Sequence, residues 1–173
     1  MQIRKDLILK YNQPGPRYTS YPPANYFHTD ISAQDYKNAL SRSNDEDPQN
    51  ISLYVHIPFC PRLCHFCGCN TSGSKNVDVI RNYVDAVKTE INNVAELLDH
   101  KRKVSQIHWG GGTPNSIPME LVKEIMDVLK DRFNFDTNPE IAMECSPAYL
   151  ELEHIDQLAE MGFNRLSLGI QDF

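Results

Sequence analysis

From Ile51 onward, apolar and polar positions follow one another with a regular period. Leu53, Val55 and Ile57 alternate with Ser52, Tyr54 and His56, the period of two that a strand with unlike faces requires, so residues 51–57 are predicted as a strand. Ile80, Tyr83, Val84, Val87, Ile91, Val94 and Leu98 then recur at three- and four-residue steps and predict a long amphipathic helix over residues 78–98. A second strand is predicted at 104–109, closed by Gly110, Gly111 and Gly112. The next helix, entered after Pro118, carries Leu121, Val122, Ile125, Met126, Leu129 and Phe133 on one stripe. A third strand at 140–145, a third helix at 150–161 and a fourth strand at 165–169 complete the series. Strands alternating with helices build right-handed βαβ units, and so a parallel sheet in an α/β fold.

The pattern is weaker before residue 51. Short helices are predicted at 3–11 and at 31–40, the latter from Ile31, Tyr36, Ala39 and Leu40. Between them Pro14, Pro16, Pro22 and Pro23 forbid helix and favour an extended strap that packs Tyr18 and Tyr21 on the domain. Arg17 in that strap is a candidate for meeting a substrate carboxylate, since a guanidinium matches that group bidentately. Residues 41–50, with Asn44, Asp45, Glu46, Asp47 and Pro48, read as a polar connection. The expected organisation is an amino-terminal extension and linker over 1–50, then one domain over 51–173.

Composition narrows the classes. A chain of 173 residues with 40% hydrophobic content suits one globular domain with a sizeable core. A net charge of -6 without any long basic run argues against a nucleic-acid surface. The opening Met-Gln-Ile-Arg-Lys-Asp has no apolar core to act as a signal, and no apolar run is long enough to span a bilayer; a cytoplasmic protein with no membrane partner is expected.

Five cysteines, three of them crowded into one loop, do not look like a disulfide framework. Cys60, Cys64 and Cys67 form a C-x3-C-x2-C run, and soft thiolates in that density point to iron-sulfur, zinc or cuprous copper. Structural zinc usually takes four ligands in two pairs, and no second C-x2-C or His pair lies downstream. A four-iron cubane on three cysteines instead leaves one iron open to a substrate. Ligands of parallel sheets bind at the carboxyl ends of the strands, and the chemistry collects there. The cysteines follow the first predicted strand, the turn at 110–113 follows the second, Glu144 ends the third and Gln171 follows the fourth. Three glycines let a backbone approach a ligand and expose N–H groups, while a carboxylate beside them suits an ammonium or hydroxyl donor. His56 is given no role, and Cys145, inside a predicted strand, reads as a small buried hydrophobe. Cys69 stands one intervening residue from Cys67, an awkward span for a cubane edge.

Four blocks carry a resemblance: Pro-Gly-Pro-Arg-Tyr-Thr-Ser-Tyr-Pro at 14–22, Tyr-Val-His-Ile-Pro-Phe-Cys at 54–60, Cys-Gly-Cys-Asn at 67–70 and His-Trp-Gly-Gly-Gly-Thr-Pro at 108–114. In this order they resemble the oxygen-independent coproporphyrinogen III oxidases, a branch of the radical S-adenosylmethionine (radical SAM) enzymes, over nearly the whole chain. The resemblance implies a partial parallel (β/α) barrel with an amino-terminal extension, here truncated after about four strands. It implies a 4Fe-4S cluster on Cys60, Cys64 and Cys67, with Cys69 a non-ligand. It further implies that Tyr54, Gly111 and Glu144 contact the S-adenosylmethionine on the cluster, and that Phe66, Gly112, Thr113 and Gln171 line a second such molecule. No side chain receives a catalytic role beyond the cluster and S-adenosylmethionine. The implied chemistry takes an electron from a flavodoxin-like donor, makes a 5'-deoxyadenosyl radical, and decarboxylates two propionates of coproporphyrinogen III to give protoporphyrinogen IX in haem synthesis. Because the sequence stops at Asp172 and Phe173, just past the fourth predicted strand, it is expected to be the front portion of such an enzyme, monomeric when complete and inactive alone. The alternatives are a radical SAM-like haem chaperone, which typically lacks the Cys-Gly-Cys continuation and the proline-rich block, and an inactive zinc- or cluster-binding fragment.

Overall fold

A computed structural model describes residues 4–12, 23–65 and 67–170. They fall into two compact units that divide between Tyr36 and Lys37. The first holds helix α1 (Lys5–Tyr11), a 3-10 turn (Ala24–Tyr26) and the start of helix α2 (Ala33–Arg42). α2 opens on a reciprocal cap: the Ser32 N–H donates to Asp35 Oδ2 at 2.9 Å and the Asp35 N–H to Ser32 Oγ at 3.2 Å. The predicted strap with Arg17, Tyr18 and Tyr21 lies outside the described residues.

The second unit is built on strands β1 (Ile51–Ile57), β4 (Lys103–Gly111), β5 (Asn134–Cys145) and β6 (Arg165–Leu168), all parallel and neighbours in that order. Two further two-residue strands, β2 (Phe59–Cys60) and β3 (Ser72–Gly73), pair beside the sheet. Helices α3 (Val77–Ala95), α4 (Met119–Arg132) and α5 (Leu152–Glu160) make the three crossovers. Alternation along the strands divides the sheet into two faces. Val55, Ile57, Ile107, Trp109, Ile141, Met143 and Cys145 join Ile80, Val84, Leu121, Ile125, Met126 and Leu158 of the helices in one buried cluster. Tyr54, His56, Gln106, His108, Glu140 and Glu144 line the opposite face, which the three helices leave uncovered. Helices on one face of a sequentially ordered parallel sheet are the arrangement that (β/α) barrels also use. Among the described residues no helix is long and apolar enough to cross a membrane.

Apart from shifts of one or two residues at other element ends, three features differ from the sequence reading, each for a local reason. α3 ends at Ala95 rather than 98 because the Leu97 carbonyl accepts from Asn44 Nδ2 at 2.9 Å and the Asp99 N–H donates to Asn44 Oδ1 at 2.9 Å, drawing the chain off the helix axis. β5 begins at Asn134 rather than 140 because the register jumps from Val104 beside Phe135 to Gln106 beside Glu140, so the intervening polar residues hide the strand period. The β2 and β3 pair is too short to leave any period in the sequence. The polar stretch 43–50 does not hang free either. Arg102, 8% exposed, donates to Ser43 Oγ at 2.7 Å and to the Gln49 and Pro48 carbonyls at 3.1 and 3.2 Å.

Trp109 anchors the core with no exposed surface, its ring edge-on to Phe163 at 5.7 Å between centroids. Trp109→Ala is expected to lower unfolding free energy by about 3–5 kcal/mol in denaturant titration. Trp109→Phe should cost far less, because the indole Nε1 has no hydrogen-bond partner among the described residues.

Candidate functional site

The carboxyl ends of β1, β4 and β5 meet in one mouth. The chain leaves β1 through Pro58 into β2, where Cys60 is buried and pairs with Gly73 of β3. The Ser72 N–H donates to the Pro58 carbonyl at 2.7 Å, so both ends of the cysteine loop are tied together. Cys64 and Cys67 lie exposed on that loop, joined by a turn in which the Cys67 N–H donates to the Cys64 carbonyl at 3.3 Å.

The glycine turn packs against this loop. The Gly112 and Thr113 N–H groups donate to the Ile57 and Phe59 carbonyls at 2.8 and 2.9 Å, and Thr113 Oγ1 lies 3.4 Å from Cys60 Sγ. These two amides therefore hold the cysteine loop, whereas the sequence reading expects the glycine N–H groups, that of Gly112 among them, to be exposed for a ligand. Gly111 has φ 115°, a conformation side chains rarely adopt, and a Cβ there would lie 2.7 Å from the His56 ring. Behind the turn, Asn115 is 2% exposed, donates to the Ser146 carbonyl and accepts from its N–H, both at 2.9 Å, locking the loops after β4 and β5 together.

Tyr54, His56, His108 and Glu144 form a polar group at the strand ends. The His56 Nε2 lies 2.9 Å from the Asn70 carbonyl, which can only accept. His56 thus carries its proton on Nε2, and its Nδ1 accepts from the Tyr54 hydroxyl at 3.1 Å. Burial, then the charges of Glu144 and Cys69, push the Tyr54 phenol up, so it stays a donor. His108 stacks on Tyr54, centroids 6.0 Å apart and planes within 13°, and its Nε2 donates to Glu144 Oε1 at 3.1 Å. The Tyr54 hydroxyl and Glu144 Oε2 each stand 3.0 Å from where a Gly110 side chain would begin. A carboxylate oxygen and a phenol at one point can hold an ammonium group.

The predicted residues Cys60, Cys64, Cys67, Tyr54, Gly111, Gly112, Thr113 and Glu144 are thus gathered at three adjoining strand ends. Phe66 and Gln171 lie outside the described residues. Among the described residues no three His, Cys, Asp or Glu side chains stand close enough to hold a single ion. A cubane spreads three thiolates over three irons and makes no such demand, and the donor set, three free thiols beside a backbone turn with a vacant carboxylate oxygen, fits a cluster with a ligand at its fourth iron. Cys69 is the fourth thiol of the loop: it is pushed up first by a hydrogen bond with Cys67 and also by the charge of Cys67, burial, and the charges of Glu144 and Cys60. Sequence reasoning passed over His108, whose contacts depend on the Tyr54–His108 register of β1 and β4.

Cys145 stands apart on the helix-covered face. Burial pushes its thiol up to about 11. It should resist alkylation in the native protein at about pH 8 and label readily in urea, as mass spectrometry of the modified peptides would read. The native state keeps a proton that the unfolded chain gives up, so this group's contribution is intact below about 9 and is lost as pH rises towards about 11.

The Radical SAM superfamily profile matches residues 54–173. An oxygen-independent coproporphyrinogen III oxidase of Synechocystis sp. is 42% identical over 173 residues, which is 100% of this chain and 37% of that protein. Its Escherichia coli counterpart is 45% identical over 167 residues, covering 96% of this chain and 36% of the relative. A solved structure of coproporphyrinogen III oxidase from Escherichia coli, described as a radical SAM enzyme, superposes with a TM-score of 0.84 at 41% identity, over 96% of this chain and 36% of that one. The chain thus spans little more than a third of the length of these curated relatives.

Proposed function

Because the chain belongs to the radical SAM superfamily, we propose that it supplies the cluster-binding and S-adenosylmethionine-binding part of an enzyme that converts coproporphyrinogen III to protoporphyrinogen IX without oxygen. The family implies a 4Fe-4S cluster and S-adenosylmethionine. When bound, these supply reductive cleavage of a carbon–sulfur bond and, from it, a hydrogen-abstracting radical. The observation that carries the reading is the convergence of the cysteine loop, the glycine turn and the Tyr54–Glu144 pair at adjoining strand ends.

In this reading Cys60, Cys64 and Cys67 hold the cluster. Tyr54 and Glu144 receive the ammonium group of S-adenosylmethionine, and Gly111 lets it approach the backbone. Gly112, Thr113, Phe66 and Gln171 line a second S-adenosylmethionine. Residues 1–50 are an extension to the barrel portion at 51–173, a flavodoxin-like protein donates the electron, and the enzyme acts in the cytoplasm. Support comes from relatives at 42% and 45% identity that bear the oxidase name. The test is anaerobic and uses the longer enzyme of which this chain is proposed to be a part: reconstituted and given dithionite and S-adenosylmethionine, it should release methionine and 5'-deoxyadenosine, faster with coproporphyrinogen III and with evolution of carbon dioxide. No cleavage, with tight haem binding instead, would replace the oxidase by a haem-handling protein.

A further inference from the structure

Glu144 is 49% exposed on a strand end and would sample many rotamers if nothing held it. What holds it is His108. The imidazole stands between the two groups that define the mouth, with one face on the Tyr54 ring and its Nε2 donating to Glu144 Oε1 at 3.1 Å. That bond occupies one carboxylate oxygen and leaves Oε2 turned to the glycine turn, 3.0 Å from the Gly110 Cβ position and level there with the Tyr54 hydroxyl. The ring is itself fixed. His108 is opposite Tyr54 in the register of two parallel strands, and the next residue, Trp109, is locked in the core on the other face.

We infer that His108 is a positioning residue, which presents Glu144 Oε2 and the Tyr54 hydroxyl to the α-ammonium group of S-adenosylmethionine. The inference rests on the proposed radical SAM reading of the mouth. A hydrogen-bond donor behind a liganding carboxylate fixes its orientation, and loss of such a partner typically lowers ligand affinity by about tenfold or more. Because the group acts on the ammonium end alone, the effect is specific to ligands that carry an amino acid tail. A merely structural histidine would not discriminate between ligands in this way.

The test measures binding, not turnover. The anaerobically reconstituted chain, His108→Phe and His108→Gln are compared by equilibrium dialysis with S-adenosylmethionine and with methylthioadenosine, which has the adenosine and sulfur but no amino acid. His108→Phe keeps a ring to stack on Tyr54 and removes the donor; His108→Gln restores a donor at similar reach. The expected result is a dissociation constant for S-adenosylmethionine raised about tenfold in His108→Phe and largely recovered in His108→Gln. Methylthioadenosine affinity, iron and sulfide content and the unfolding midpoint should stay unchanged. Equal S-adenosylmethionine affinity in all three proteins, or an equal loss for both ligands, overturns the inference while leaving the radical SAM reading intact. Absence of S-adenosylmethionine binding by the unmodified chain overturns that reading, and the inference with it.

Discussion

Alanine at Cys60, Cys64 or Cys67, one at a time, is expected to reduce iron and acid-labile sulfide after anaerobic reconstitution to about a tenth of the unmodified level or less. The loop offers four thiols, since Cys69 lies within electrostatic reach of Cys67 and Cys60, so chemical analysis alone does not say which three bind. The proposed open iron does: Cys69→Ala should retain the cluster, because a fourth cysteine ligand would close the iron that S-adenosylmethionine needs. Cys145→Ala should retain it as well, as that thiol lies buried on the helix-covered face of the sheet. Iron and sulfide assays on the five variants check this. Loss of the cluster in Cys69→Ala with retention in Cys64→Ala would move the ligand set to Cys60, Cys67 and Cys69.

The second large effect belongs to Gly112. A Cβ there would lie 2.6 Å from the Pro58 carbonyl oxygen and 2.7 Å from that of Phe59, and these are backbone atoms that no rotamer change can move. The Gly112 and Thr113 amides are bonded to the same segment, so the turn cannot back away without breaking them. Gly112→Ala is therefore expected to cost about 3 kcal/mol in urea unfolding and, by displacing β2 and Cys60, to lower cluster content as well. Gly68→Ala, in the cysteine loop with nothing among the described residues within 4 Å of its Cβ, is the control and should stay within about 0.5 kcal/mol of the unmodified protein.

The fold was legible wherever one face of an element is buried. β1 runs from Ile51 to Ile57 as its alternation predicts, and the stripe through Ile80, Val84 and Ile91 faces the core. Topology followed from the βαβ order, and with it the meeting of the cysteine loop, the glycine turn and Glu144 at one end of the sheet. What stayed hidden depends on partners far away in sequence. The end of α3 is set by Asn44, the start of β5 by a register jump, and the β2–β3 pairing by two residues on each side. In the site, Glu144 stood out by its place at a strand end and Tyr54 only through the resemblance, and the pairing of β1 with β4 is what brings His108 between them. The amide of Gly112 looked free because nothing in sequence reveals the carbonyl of Ile57 opposite it.

A cluster with one iron open to S-adenosylmethionine would show itself in the electron paramagnetic resonance spectrum of the anaerobically reconstituted, dithionite-reduced chain, recorded without and with S-adenosylmethionine, beside an assay of iron and sulfide. The expected result is about four irons and four sulfides per chain and a reduced-cluster spectrum whose shape and g-values change when S-adenosylmethionine is added. Zinc in place of iron, or a cluster whose spectrum is indifferent to S-adenosylmethionine, would contradict it.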